Sequence, residues 1–342
     1  MGWKFKSSWP YHLIYVSMKV ICTYNHNFRD YVFKTLARFG CEVTENICDT
    51  ISITNTNDSF EKFYEKIVDS KIIFFQHIQP INFGINLTNN FADEISNAII
   101  ENVDKFLDRN KTYSIQIRTI DCDYSKHEIV SNLEDKLKLE KNNKNPEQVI
   151  SILINKNKCF VGFSKTEYNL SKWNGGEVRY SYGNCISRAE FKLMELFDFI
   201  SIDSFNYKTA LDLGCAPGGW SKVLLDKKLK ITGVDPAEVD KTLLNSANFK
   251  HFKGLSEDFK KVNKNSFDII VNDMKIDYKA SIKIVKSFLK NLNKNGIVIM
   301  TIKLFKNDNV EEAINTVKNN FQNIILIKQL YHNRSEFTVV LK

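Results

Sequence analysis

The sequence predicts an α/β protein whose C-terminal part, residues 186–342, is a parallel sheet closed by an antiparallel hairpin. Three observations carry this. Apolar runs at Lys208–Leu213, Ile231–Val234, Phe267–Asn272 and Ile297–Ile302 alternate with helical patterns, as parallel strands joined by crossover helices require. The last two runs, Ile324–Leu330 and Phe337–Leu341, are separated only by Tyr331-His332-Asn333-Arg334-Ser335-Glu336. A link that short permits a hairpin and excludes a crossover helix. The third observation is Leu211-Asp212-Leu213-Gly214-Cys215-Ala216-Pro217-Gly218-Gly219-Trp220-Ser221, a strand feeding a helix through a turn of small residues.

Ahead of this part the pattern is α+β. Residues 1–17 read as a dispensable leader or a mis-assigned start, because Met18 opens a strand at Lys19–Thr23. Strands at Lys19–Thr23, Ile51–Thr54 and Ile72–Gln76 alternate with helices at Asp30–Phe39, Phe60–Asp69 and Phe91–Leu107. That alternation predicts a ferredoxin-like domain over residues 1–110. A smaller domain follows over 111–172, with a strand at Tyr113–Ile120 and a helix at Lys126–Leu139. Its strands Val149–Ile154 and Cys159–Phe163 are joined by Asn155-Lys156-Asn157-Lys158, a hairpin turn. Trp173-Asn174-Gly175-Gly176 breaks regular structure, so residues 173–185 read as a linker. Ser187 followed by Glu190 is a capping box for a helix from Arg188 to Phe199. Residues 186–342 are expected to hold a complete sheet and to fold alone.

The turn points to a nucleoside ligand. Gly214, Ala216, Pro217, Gly218, Gly219 and Trp220 lie where a ligand would approach the backbone. Asp235 tips the next strand, where nucleotide-binding sheets place an acid for the ribose hydroxyls. No Lys-Ser/Thr pair follows the turn, so it is not a P-loop. The spacing fits S-adenosylmethionine better than a dinucleotide.

Lys192 precedes the first strand of this part, Asp273 follows the third and Lys303 ends the fourth, while Glu336 opens the last strand. Each alone is an ordinary surface charge; the architecture brings all four toward the carboxyl ends of the parallel strands. This Lys-Asp-Lys-Glu set resembles that of the FtsJ (RrmJ-type) ribose 2′-O-methyltransferases, a Rossmann-fold methyltransferase family. Ser187-Arg188-Ala189-Glu190-Phe191-Lys192-Leu193 and the glycine turn are similar to its motifs. Gln329-Leu330-Tyr331-His332-Asn333-Arg334-Ser335-Glu336-Phe337-Thr338-Val339 and Cys159-Phe160-Val161-Gly162-Phe163-Ser164 resemble segments of the RlmM-type 23S rRNA cytidine 2′-O-methyltransferases. The resemblance implies a THUMP RNA-binding domain in residues 111–172. It implies Lys192, Asp273, Lys303 and Glu336 as catalytic residues and Asp258, chosen over Glu257, as the acid that holds the adenine. Asp273 is also placed against the cofactor. Ser187 either touches the methionine part or caps its helix.

The chemistry asked of the four residues is deprotonation of a ribose hydroxyl. Lys303 is read as the base and Lys192 as a neighbouring cation, with Asp273 and Glu336 holding the ammonium groups. A cation lowers the pKa of a lysine beside it and an acid opposes that.

Composition bounds the partners. Residues 1–110 hold 11 Lys/Arg against 13 Asp/Glu, whereas the remainder holds 37 against 27. A basic half that carries the nucleoside turn points to RNA, by resemblance 23S rRNA or a pre-ribosomal particle. No apolar run reaches the roughly 18–20 residues of a membrane span. The seven cysteines form no C-x-x-C pair, which suits reduced thiols in the cytoplasm and no metal site. Two other readings stay open: 2′-O-methylation of tRNA or of another rRNA nucleotide, and an RNA-binding protein without activity.

Overall fold

A computed structural model describes residues 17–181, 183–200 and 206–342. The expected leader falls on residues 1–17, of which all but the last lie outside the described residues.

The chain opens with β1 (Met18–Tyr24), α1 (Arg29–Arg38), β2 (Glu42–Cys48), β3 (Ile51–Thr56), α2 (Phe60–Asp69), the two-residue β4 (Ile72–Ile73) and β5 (Phe75–Ile81). Strands β2-β3-β1-β5 form an antiparallel sheet, which with α1 and α2 gives the β-α-β-β-α-β ferredoxin-like arrangement. Ser59 caps α2 by accepting the Lys62 N–H. Sequence reading misses β2, whose Glu42-Val43-Thr44-Glu45-Asn46-Ile47-Cys48 is too polar to show as an apolar run. It is an edge strand, where carboxylates are at home and discourage pairing with other chains.

A second layer contains β6 (Phe83–Asn86), α3 (Phe91–Phe106), β7 (Tyr113–Ile120), α4 (Lys126–Leu137), β8 (Gln148–Asn155) and β9 (Lys158–Lys165). Its sheet runs β6-β9-β8-β7, with the tight β8–β9 hairpin at Asn155–Lys158. The expected boundary at residue 110 therefore falls inside a layer. β6 pairs with β9, and Ile95, Ile99 and Val103 of α3 share a core with Ile129, Leu133 and Leu137 of α4. Alternating patterns reveal helices and strands but not which sheet each one joins. The start of the segment 173–185, expected as a linker, is packed: Gly175 and Gly176 are buried and Asn174 Nδ2 donates to Ile117 O at 2.6 Å.

The third part contains α5 (Ala189–Ile200), β10 (Thr209–Leu213), α6 (Gly219–Asp226), β11 (Lys230–Val234), α7 (Lys241–Leu244), β12 (Phe249–Phe252) and α8 (Ser256–Val262). It continues through β13 (Phe267–Asn272), α9 (Tyr278–Phe288), β14 (Leu292–Lys303), α10 (Val310–Asn320), β15 (Ile324–Lys328) and β16 (Glu336–Leu341). The sheet order is β12-β11-β10-β13-β14-β16-β15-β4. The first five strands are parallel, and β16 runs antiparallel to both β14 and β15, as the short link requires.

The eighth strand corrects one expectation. Residues 186–342 do not hold the whole sheet, because β4 from the ferredoxin-like region pairs in parallel with β15. Ile327 N donates to Lys71 O at 2.7 Å and Gln329 N to Ile73 O at 2.9 Å. The run Ile72–Gln76, expected as one strand, is divided between two sheets at Phe74. The Phe74 ring lies 5.0 Å from Phe28 and 5.5 Å from Phe337, so one continuous core joins the ferredoxin-like region to the third part. No helix among the described residues is long and apolar enough to cross a membrane.

Candidate active site

Four charged side chains reach one place from four elements. Lys192 stands on the first turn of α5, Asp273 follows β13, Lys303 ends β14 and Glu336 opens β16. The β14–β16 pairing sets Lys303 opposite Glu336, and the β13–β14 pairing brings Asp273 to the same end. Lys192 Nζ lies 3.1 Å from both Asp273 carboxylate oxygens and 2.6 Å from Glu336 Oε1. Lys303 Nζ lies 2.5 Å from Asp273 Oδ1 and also donates to Glu336 Oε2. Each ammonium is shared by both carboxylates, and the four formal charges cancel. Only 8–15% of each side chain is exposed.

Burial alone would lower the Lys192 pKa, but the Asp273 and Glu336 carboxylates outweigh it and hold the ammonium above its usual range. Burial would raise Asp273, yet Lys192, Lys303 and the Lys303 and Thr301 hydrogen bonds hold it below the usual carboxylate range. Thr301 Oγ1 donates to Asp273 Oδ1 at 2.7 Å. Sequence reading missed this threonine. The available signal was its position two residues before Lys303, on the same face of one strand.

The turn lies beside this network. β10 leads into Gly214, and Gly218 enters α6 at φ +122°, a conformation that side chains oppose. A Cβ on Gly218 would meet Leu243 Cδ1 at 2.0 Å, and one on Gly219 would meet Ser187 Oγ at 2.3 Å. Protein packing therefore demands small residues here, in addition to any ligand. Ser187 Oγ is buried and has no hydrogen-bond partner among the described residues. Half of the expected capping box forms: the Glu190 carboxylate accepts from Ser187 N at 3.1 Å and from Ile186 N, but the serine hydroxyl does not return the bond. Glu190 also pairs with Lys222 at 2.9 Å.

Asp235 links the two loops at this edge. Its oxygens accept from Ala216 N at 3.1 Å and Ala237 N at 2.8 Å, and a carboxylate has further lone pairs to offer. Pro217 O accepts from Asp240 N at 2.9 Å. Trp220 is buried and donates Nε1–H to Ala189 O at 2.9 Å, which fixes α6 against α5. Asp258 pairs with Lys261 at 2.8 Å on the exposed side of α8. Asp212, fully buried at the end of β10, accepts from Ser221 Oγ at 2.7 Å. Burial pushes its pKa up to about 7 despite that hydrogen bond, with Asp273 and Asp235 adding to the rise. Among the described residues, no cluster of three His, Cys, Asp or Glu side chains is arranged to hold a metal.

A parallel sheet with a glycine turn after its first strand and a charged quartet at its carboxyl edge defines a class of enzyme domain. Residues 185–339 match the FtsJ-like methyltransferase family, and this part of the chain is an FtsJ-like methyltransferase domain. Such domains use S-adenosylmethionine, and the orphaned Ser187 hydroxyl beside the glycine turn fits that group. The curated relatives sharpen the comparison. Ribosomal RNA large subunit methyltransferase M of Aliivibrio salmonicida is 29% identical over 196 residues, covering 53% of each chain. Its namesake in Yersinia enterocolitica is 26% identical over 194 residues, 53% of this chain and 52% of its own. An uncharacterised protein of Methanocaldococcus jannaschii is 28% identical over 157 residues, covering 45% of this chain and 42% of its own. The chain thus spans about half the length of the curated relatives it matches. Among solved structures, TrmN from Thermus thermophilus aligns with 95% of this chain and 99% of its own at 11% identity and a TM-score of 0.37.

Proposed function

We propose that the protein is an S-adenosylmethionine-dependent RNA methyltransferase that modifies a ribose 2′-hydroxyl, with a cytidine in the peptidyl-transferase loop of 23S rRNA as its target. The observation that carries this is the closed Lys192–Asp273–Lys303–Glu336 network beside the glycine turn. The likeness to large-subunit rRNA methyltransferases supports the RNA class.

Bound S-adenosylmethionine supplies a methyl group on a cationic sulfonium. The protein's own task is to place the hydroxyl in line with that methyl and remove its proton. Lys303 Nζ is the atom that takes the proton. Lys192 stays an ammonium and helps keep Asp273 ionised, and Asp273 and Glu336 together receive and orient the Lys303 nitrogen. Thr301 fixes Asp273 from below the network. Ser187 and the turn Gly214–Trp220 hold the amino-acid end, and Asp235 takes the ribose hydroxyls of the cofactor. Asp258 would hold the adenine, and its exposed pairing with Lys261 would cost little to break. Residues 111–172, read as THUMP-like, engage the RNA away from the chemistry.

The test is incubation with labelled cofactor and total RNA from a strain lacking the gene, followed by mapping of the modified nucleotide. Label on a cytidine 2′-oxygen of 23S rRNA is the expected result. Label on a base, or on no RNA, overturns the reading.

A further inference from the structure

A cavity of about 420 Å³ lies between α2, the segment 169–178, α5 and the end of β15, and none of the four network residues lines it. Its lining includes Lys328, Trp173 and Asn169. Lys328 is 4% exposed, and its Nζ has no hydrogen-bond or ion-pair partner among the described residues. The ammonium rests 4.5 Å from the centre of the Phe199 ring. Glu195, the nearby acid, is committed elsewhere: its oxygens accept from Tyr331 N at 2.8 Å and His332 N at 3.3 Å. Trp173 Nε1 and Asn169 Nδ2 are also buried without an acceptor.

Three orphaned donors around one cavity are a costly arrangement. A buried donor without a partner is unfavourable, and an unpaired buried charge more so. Burial draws the Lys328 ammonium down only to about 8, with Glu195 opposing the fall, so the charge persists at neutral pH. The complement of such a site is an anion with several acceptor oxygens. The remaining walls are mixed. Glu195 and Asp198 also line the cavity, Asp198 being paired with Lys172 at 3.0 Å and accepting from the Tyr180 hydroxyl at 3.1 Å. Tyr64, Trp173 and Phe199 offer ring surfaces of the kind on which bases stack.

We propose that this cavity binds a nucleoside monophosphate group, its phosphate held by Lys328, Trp173 and Asn169 and its base against the aromatic wall. The group comes from a nucleotide of the RNA chain or from a free nucleotide. Only the first source rests on the RNA-methylation reading; the site itself does not.

The test is calorimetric titration of the full chain, saturated with S-adenosylhomocysteine to block the adenosine pocket, using uridine 5′-monophosphate. Uridine and inorganic phosphate serve as separate probes. Saturable binding of the monophosphate, tighter than either half alone, is expected. Lys328→Met keeps the packing on Phe199 and removes the charge; it should weaken binding at least tenfold. Trp173→Phe keeps a ring and removes the donor; it should weaken binding about fivefold. Competition by a short RNA oligonucleotide assigns the source to RNA, and its failure to compete assigns a free nucleotide. No binding of the monophosphate or of phosphate overturns the site. So does parental affinity in both variants. Because no methyl transfer is measured, either result is separable from failure of the proposed reaction.

Discussion

Lys192 and Lys303 hold the same two carboxylates yet are given different work. The proposal assigns Lys303 alone to proton removal. Lys303→Ala should leave S-adenosylmethionine binding near the parental level and cut methyl transfer by about 10²–10⁴-fold, the range for losing a general base. Lys303→Arg should be almost as poor, because guanidinium stays protonated at usable pH. Near-parental turnover in the arginine variant would mean that position 303 supplies only positive charge. Asp212 offers a second test, through stability. Its folded pKa of about 7 lies above the usual 3.8. Between those values the folded protein holds a proton that the unfolded chain has lost. Stability from this group therefore falls as pH rises from about 4 to about 7, and stays reduced above that. Asp212→Asn cannot ionise and can still accept from Ser221. It should melt higher than the parent at pH 8, by a gain of a few kcal/mol, and the difference should close toward pH 4; calorimetric melting at both pH values decides it. The four network residues were legible in the sequence because each sits at a strand or helix end that the architecture fixes. Thr301 and the burial of Asp212 were not, since both depend on contacts between strands.

At the scale of elements, the glycine turn has a double demand on it. Gly218→Val would force a side chain into Leu243 at a φ of +122° and should displace the start of α6. Loss of cofactor affinity by at least tenfold, read by calorimetry on folded variant, is the expected outcome. Asp235→Ala should weaken the cofactor too, through the lost ribose contact and the freed Ala216 and Ala237 N–H groups. Parental affinity in both variants would show that the pocket lies elsewhere. Four of the five parallel strands of the third part were readable because strands buried on both faces are continuous apolar runs. The fifth, β12, Phe249-Lys250-His251-Phe252, was missed because it is a short edge strand with only Phe249 buried. β2 was hidden by its carboxylates. β4 was hidden for another reason: two residues carry no period, and only the β15 edge makes them a strand.

For the whole molecule, the shared core changes what a truncation should do. Cutting the chain at residue 186 removes β4 from the β15 edge and uncovers Phe337, which packs on Phe74. A fragment of residues 186–342 should be poorly soluble or melt well below the full chain, with weakened cofactor binding as a consequence. Soluble yield and a thermal melt test this, and a fragment as stable as the parent would show that the shared edge is dispensable. The sequence pattern could not reveal the dependence, because pairing across some 250 residues leaves no local trace. The same distance explains why the boundary at residue 110 was misplaced: β6 waits for β9, more than 70 residues downstream.

The late arrival of β15 has a consequence during synthesis. The apolar segment Ile72-Ile73-Phe74-Phe75 leaves the ribosome long before Ile327 and Lys328 are made. At about 5–20 residues per second, the nascent chain carries that sticky segment without its permanent partner for roughly 12–50 s. Its protection over that interval falls to α1, α2 and whatever chaperone meets the emerging chain, so yield in cells should respond to changes at residues 72–75 more sharply than the stability of the finished protein does.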